Sequence, residues 1–285
     1  GRTVHTRIRA TIKAKKEFEE VGRKVSVHLP IPKVYEQVSN VQIHAANPEI
    51  TFIAPEDAAQ RTVYFETELQ PNQEFMVEYS FDYHINYVEL DPKRVAGEQP
   101  DFCLEEQSPH IMFTPYLREL RDELAGDETN PVILARRFYD FVTTKVMYSF
   151  VREYFTIECI PEYCAVNLKG DCGVQALLFI TLCRMSGIPA RWQSGLYATD
   201  YYTGCHDWAQ FYVAPYGWVF ADLSFGGSAW RAGEIERWNY YFGNLDVFRM
   251  PANSEIQKAF VPEKKWLRID PIDNQRGEFE YEDHG

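Results

Sequence analysis

The first ninety residues alternate between apolar and polar positions at period two. Val4, Ile8, Ala10 and Ile12 fall on one face, Val25, Val27 and Leu29 on another, and Phe75, Val77, Tyr79, Phe81, Tyr83, Ile85 and Tyr87 form a long series broken mostly by polar residues. Successive side chains of a strand point to opposite faces, so these series predict strands with one face buried. Further candidates at 38–45, 50–54 and 61–69, separated by Pro and Asn turn signals, raise the expectation to six or so antiparallel strands in a β-sandwich. His5, His28, His44 and His84 are scattered over different strands without the short spacing of metal ligands, and outer faces are expected for them.

Between 91 and 114 the period is lost in a proline-punctuated stretch, and the domain boundary is expected there: 1–95 a β-sandwich, 96–285 an α+β domain. Helical spacing follows. Thr114 caps a helix with Pro115 at its first position and Leu117, Leu120 and Leu124 on one face, ending near Gly126; Asn130 and Pro131 open the next, with Leu134, Phe138, Phe141 and Val142 inward. At 171–189 a capping Asp171 precedes a nearly continuous apolar helix, with Gly187 at the stop and Pro189 beyond it. Residues 205–222 predict a hairpin whose first strand starts at His206 and whose second ends at Asp222. Those two side chains share a face only if the loop has an odd residue count, centred on Ala214 or Pro215. The segment from Ser228 to Asp246 reads as turn, short helix and strand, and 266–270 and 277–282 read as short alternating strands.

Composition narrows the function. The 285 residues carry 45% hydrophobic and 25% charged residues, ordinary for a globular chain of two domains. A formal charge of -13 repels phosphate backbones and excludes nucleic acid as a natural partner. Most of this acidity lies beyond residue 100, which is compatible with a cationic substrate. Apolar runs such as Ala176 to Ile180 fall far short of the ~20 residues of a membrane span, and none is expected. Six irregularly spaced cysteines predict free thiols and, with a chain that opens directly into a strand, a cytoplasmic location. Cys159 and Cys164, with the adjacent Cys205 and His206, lack the paired knuckles of a zinc site, so neither metal nor cofactor is expected.

One cysteine stands out by position. Cys172 begins the apolar helix, where unpaired backbone N–H groups and the positive end of the helix dipole favour a thiolate and lower the pKa from about 8.5. Cys183, inside the same helix, reads as packing. In the favourable register Asp222 fixes the tautomer of His206, which then takes the proton from Cys172.

Three blocks carry a resemblance: Gly170-Asp171-Cys172-Gly173-Val174-Gln175 running to Gly187-Ile188-Pro189-Ala190-Arg191, then His206-Asp207-Trp208-Ala209-Gln210-Phe211, then Gly217-Trp218-Val219-Phe220-Ala221-Asp222. In this order they resemble the catalytic core of the transglutaminase-like superfamily, of the bacterial transglutaminase-like or cysteine-protease type, over about 115–230. The resemblance implies a papain-like α+β core, with the Cys-bearing helix packed on an antiparallel sheet bearing His and Asp. It further implies a Cys172, His206, Asp222 triad that forms an acyl-enzyme from a peptide or protein amide. Hydrolysis is the expected outcome; protein crosslinking by transfer to an amine, and a non-catalytic peptide- or glycan-binding module, are the alternatives. Two positions depart from the family. Asp207 stands where members often carry a small residue, and is expected opposite His206 in solvent or a structural ion pair, or else at the cleft rim facing a substrate amine. Leu223-Ser224-Phe225-Gly226-Gly227 replaces the commoner proline-containing turn. The Cys172 N–H supplies half an oxyanion hole. Tyr148 is the candidate for the other half, ahead of Gln175. Trp192, Tyr197, Tyr201, Tyr202, Trp208 and Trp218 crowd these blocks as core or cleft wall, with Trp208 on the His206 face.

Overall fold

The computed structural model describes residues 1–268 and 270–285. In chain order the strands are β1 (Arg2–Ile12), β2 (Lys24–Pro30), β3 (Val38–Asn47), β4 (Phe52–Ile53), β5 (Thr62–Glu68), β6 (Phe75–Ile85), β7 (Met147–Tyr148), β8 (Lys169–Gly170), β9 (Ala190–Ala198), β10 (Thr203–Val213), β11 (Gly217–Ala221), β12 (Phe242–Gly243), β13 (Arg249–Asn253) and β14 (Glu278–Tyr281). The helices are α1 (Pro115–Ala125), α2 (Pro131–Lys145), α3 (Ile160–Asn167), α4 (Cys172–Met185), α5 (Leu223–Arg231) and α6 (Ile235–Tyr240). The chain divides into two compact units, neither continuous in sequence: Gly1–Asn86 with Ser194–His206 and Val247–Gly285, and Tyr87–Gln193 with Asp207–Asp246.

The first unit holds two sheets, β1-β6-β3 and β14-β2-β5-β4, around one apolar core. Ile8 lies opposite Tyr79, Ala10 opposite Val77 and Ile12 opposite Phe75, so the alternating series of β1 and β6 meet on the same face. Val25, Val27, Phe65, Phe75 and Val77 are fully buried there, each contributing roughly 1.5–3 kcal/mol relative to exposure. The outward row is polar: Glu78 accepts from Arg9 Nε at 2.9 Å and from Arg7 Nε at 2.7 Å. The six expected strands are present as a sandwich. Two details differ. His28, on the outer face of β2 as expected, is nevertheless buried between the rings of Tyr64 and Phe260, because the C-terminal segment covers it. Trp266, Leu267 and Arg268 form no strand, and Ile269 lies outside the described residues; residues 278–281 do, pairing with β2 as Glu278 opposite His28 through Tyr281 opposite Val25.

In the second unit, α1 and α2 start as their sequences dictate. Thr114 Oγ1 accepts from Leu117 N and Asn130 Oδ1 from Val132 N, each cap followed by proline at the first helical position. Helix α4 is apolar on every side and buried from Gly173 to Arg184, which is the pattern of a central rather than a surface helix. Asp171 caps its start and Gly187, at φ 72°, ends it. Arg184 ties that end down, with Nε donating to Ala190 O at 2.9 Å and Nη1 to Glu105 O at 2.8 Å. Phe179 of α4 meets Phe211 of β10 edge to face at 5.6 Å. Leu223-Ser224-Phe225-Gly226-Gly227 is the start of a helix, α5, rather than a turn. A Cβ on Gly226 would stand 2.0 Å from the Tyr139 hydroxyl and one on Gly227 3.1 Å from Thr143 O, so the two glycines let α5 pack against α2. Among the described residues no helix is long and apolar enough to cross a membrane.

Candidate active site

The nucleophile candidate is positioned by a short parallel pair and a cap. β7 and β8 pair Met147 with Lys169 and Tyr148 with Gly170, two residues before Cys172. Asp171 then accepts from Val174 N at 3.1 Å and from the Tyr154 hydroxyl, fixing the first turn of α4. Gln175, buried in that turn, donates through Nε2 to Gly170 O at 2.9 Å. Its amide is therefore a brace for the β8–α4 junction, not an oxyanion donor.

The thiol of Cys172 donates to Asp207 Oδ2 at 3.1 Å, and its sulfur also accepts from the Asp207 backbone N–H. This places the sulfur against the chain neighbour of His206. Asp207 is buried, at 7% exposure, so the solvent reading of this residue does not hold. Nor does the expectation of a lowered thiol pKa. Burial, the charges of Asp207 and Asp171, and the hydrogen bond to Asp207 drive the Cys172 pKa well up, against a smaller downward pull from the Asp207 N–H. Two nearby carboxylates and desolvation outweigh the helix terminus. Asp171 is itself raised by burial.

The space beside the sulfur is tightly defined. Gly173 has no side chain where a Cβ would meet the Tyr154 hydroxyl at 2.4 Å, Asp207 Oδ2 at 2.7 Å and the Trp192 ring at 2.9 Å. Trp192 is thus buried wall. The ring of Tyr148 is 58% exposed, yet its hydroxyl is hydrogen-bonded to Cys172 and its pKa is raised by burial and by the charges of Cys172, Asp171 and Asp207. Tyr154 was not singled out from the sequence. It lies in a one-turn helix of Tyr154–Thr156 that no periodicity marks, and the aromatic-rich run 148–155 was its only signal.

The β10–β11 hairpin has the odd-numbered loop that was expected. Ala209 pairs with Ala221 and Val213 with Gly217, leaving a three-residue loop centred on Pro215, a register in which Trp208 has the parity of Asp222. His206, two residues before Trp208, has the same parity. It lies inside the strand, which begins at Thr203, and Asp222 falls one residue past β11. Asp222 is fully buried; its Oδ1 accepts from Phe225 N at 2.9 Å and from Ser224 Oγ at 3.3 Å as the cap of α5. Trp208, also fully buried, donates Nε1 to Gln193 Oε1 at 2.6 Å. In the first unit His206 is buried, its ring edge-on to Tyr197 at 6.3 Å and its carbonyl accepting from Gln275 Nε2 at 3.1 Å. Tyr197 is in turn edge-on to Phe248 at 6.0 Å. Among the described residues no cysteine is in a disulfide, and Cys183 is fully buried packing.

Residues 118–223, which include Cys172, His206 and Asp222, match the model of the transglutaminase-like superfamily. Among solved structures it is similar to a candidate cysteine protease from Cytophaga hutchinsonii, with a TM-score of 0.54 and 16% identity over 78% of each chain. At that identity the likeness is one of fold. It is also similar to the periplasmic domain of TgpA from Pseudomonas aeruginosa, with a TM-score of 0.42 and 13% identity over 77% of this chain and 75% of that one. No curated protein matches the sequence.

Proposed function

We propose that the protein is a cofactor-independent thiol enzyme that cleaves an amide bond through an acyl-enzyme on Cys172. In the first step the Cys172 sulfur bonds to the carbonyl carbon, the C–N bond breaks, and the thiol proton passes by way of His206 to the leaving amine. In the second a water oxygen bonds to the same carbon, the S–C bond breaks, and a water proton returns through His206 to the sulfur. Asp222 holds the imidazole, and the Cys172 N–H with the Tyr148 hydroxyl receives the charge on the carbonyl oxygen. One observation carries the reading: a cysteine at the first turn of a buried helix has a phenol hydroxyl hydrogen-bonded to its sulfur. Water is the acceptor in this reading.

The test uses carboxymethylated casein with and without a biotinylated primary amine, with Cys172→Ser as control. New peptide termini lost in the variant support hydrolysis. Biotin incorporation without new termini makes the enzyme a transferase, and neither signal, in folded protein, makes the core a binding module.

A further inference from the structure

We propose that Asp207 is the specificity-determining residue of this site, and that it binds the α-ammonium of a substrate whose acyl residue has a free amino terminus. The inference rests on Cys172 being the nucleophile and adds the class of substrate: an unblocked aminoacyl amide, cleaved directly after its first residue.

Attack requires the carbonyl carbon about 3–3.5 Å from the sulfur. In an aminoacyl group the α-nitrogen is two bonds from that carbon, about 2.5 Å away at ordinary bond lengths. A charge-assisted N–H···O bond spans about 2.7–2.9 Å. Asp207 Oδ2 lies 3.1 Å from Cys172 Sγ. Sulfur, carbonyl carbon, α-nitrogen and carboxylate oxygen therefore close a four-cornered figure in which every side has its normal length. An ammonium at the end of a long side chain is several bonds farther from the carbon and does not meet this condition in an extended chain.

The surroundings favour the same occupant. Asp207 is buried, and an ammonium offers it a charge-assisted hydrogen bond that an acylated amine does not. Asp171 adds a second carboxylate beside the thiol, and Tyr154 and Trp192 wall the space next to Gly173. The ammonium also takes the place of the thiol as donor to Asp207. Substrate binding then removes the hydrogen bond that holds the proton on sulfur, so the amino group that is recognised also releases the nucleophile to its base.

Alanine thiobenzyl ester and N-acetylalanine thiobenzyl ester test this directly. Cys172 sulfur bonds to the acyl carbon while the thiol leaves with the transferred proton, and its release is followed by colour. Wild type is expected to favour the free-amine ester by at least about tenfold in kcat/KM. That advantage falls above about pH 8, where the α-ammonium loses its proton. Asp207→Asn lowers the rate on the free-amine ester by at least about tenfold, and the preference for that ester over the acetylated one falls towards one. Equal rates, or preference for the acetylated ester, with Cys172 acylated by both in peptide mass spectrometry, overturn the role of Asp207 and leave the thiol reading standing. Acylation of Cys172 by neither ester overturns the thiol reading and this inference with it. The comparison of the two esters on wild type holds even if the variant does not fold.

Discussion

Asp207 sets the resting state of Cys172: its carboxylate accepts the thiol proton at 3.1 Å, and its charge is, after burial, the largest influence raising the thiol pKa. Replacing it by asparagine removes a negative charge from the neighbourhood of the thiolate, so the thiol pKa falls. The pH midpoint for iodoacetamide alkylation of Cys172 is accordingly expected to move to lower pH in Asp207→Asn, as followed by peptide mass spectrometry; an unchanged midpoint contradicts the assigned contact. Tyr148 makes a separate prediction. Tyr148→Phe removes only a hydroxyl from an exposed ring, so thermal stability should be unchanged while kcat drops by about 10²–10³, the usual cost of one oxyanion donor. The place of Cys172 at the start of a buried helix was legible in the sequence, because capping aspartate, cysteine and apolar run are local. The protonation state was not, because Asp207 reaches the sulfur from a strand thirty-five residues away.

At the scale of elements, the caps of α1, α2 and α4 and the odd loop of the β10–β11 hairpin were readable because each is fixed by neighbouring residues. Helix α5 was not, since paired glycines ordinarily weaken a helix and here serve close packing. Gly226→Ala places a methyl group on the Tyr139 hydroxyl, which itself donates to Trp238 O at 2.7 Å. The expected loss is about 1–3 kcal/mol in urea unfolding, despite alanine's better helix propensity. A gain in stability would show that α5 is not packed on α2 as described.

In the whole molecule the least legible feature was the return of the last segment to the first unit. β14 pairs with β2 across some 250 residues, and Lys264 Nζ bonds Glu278 at 2.8 Å while Arg268 Nε bonds the same carboxylate at 2.9 Å. No local pattern encodes such a pairing. Its consequence is a buried His28 whose pKa is lowered from 6.5 to about 3, by burial first and then by Lys264 and Arg268. His28 is neutral when folded and takes a proton when unfolded below pH 6.5. Its contribution is complete above that value and is lost as pH falls towards 3, by roughly 2–3 kcal/mol at pH 4.5. Urea unfolding of wild type and His28→Gln at pH 7 and 4.5 should show the smaller pH dependence in the variant; equal slopes would contradict the burial of this ring. Cys172 as nucleophile is the central proposal. Its most direct test is rapid quenching of the protein mixed with p-nitrophenyl acetate, followed by peptide mass spectrometry. Acetyl is expected on Cys172 ahead of the other five cysteines, slowed by His206→Ala. Acetyl spread over the exposed thiols with Cys172 unmodified, or a rate at Cys172 indifferent to His206, would contradict it.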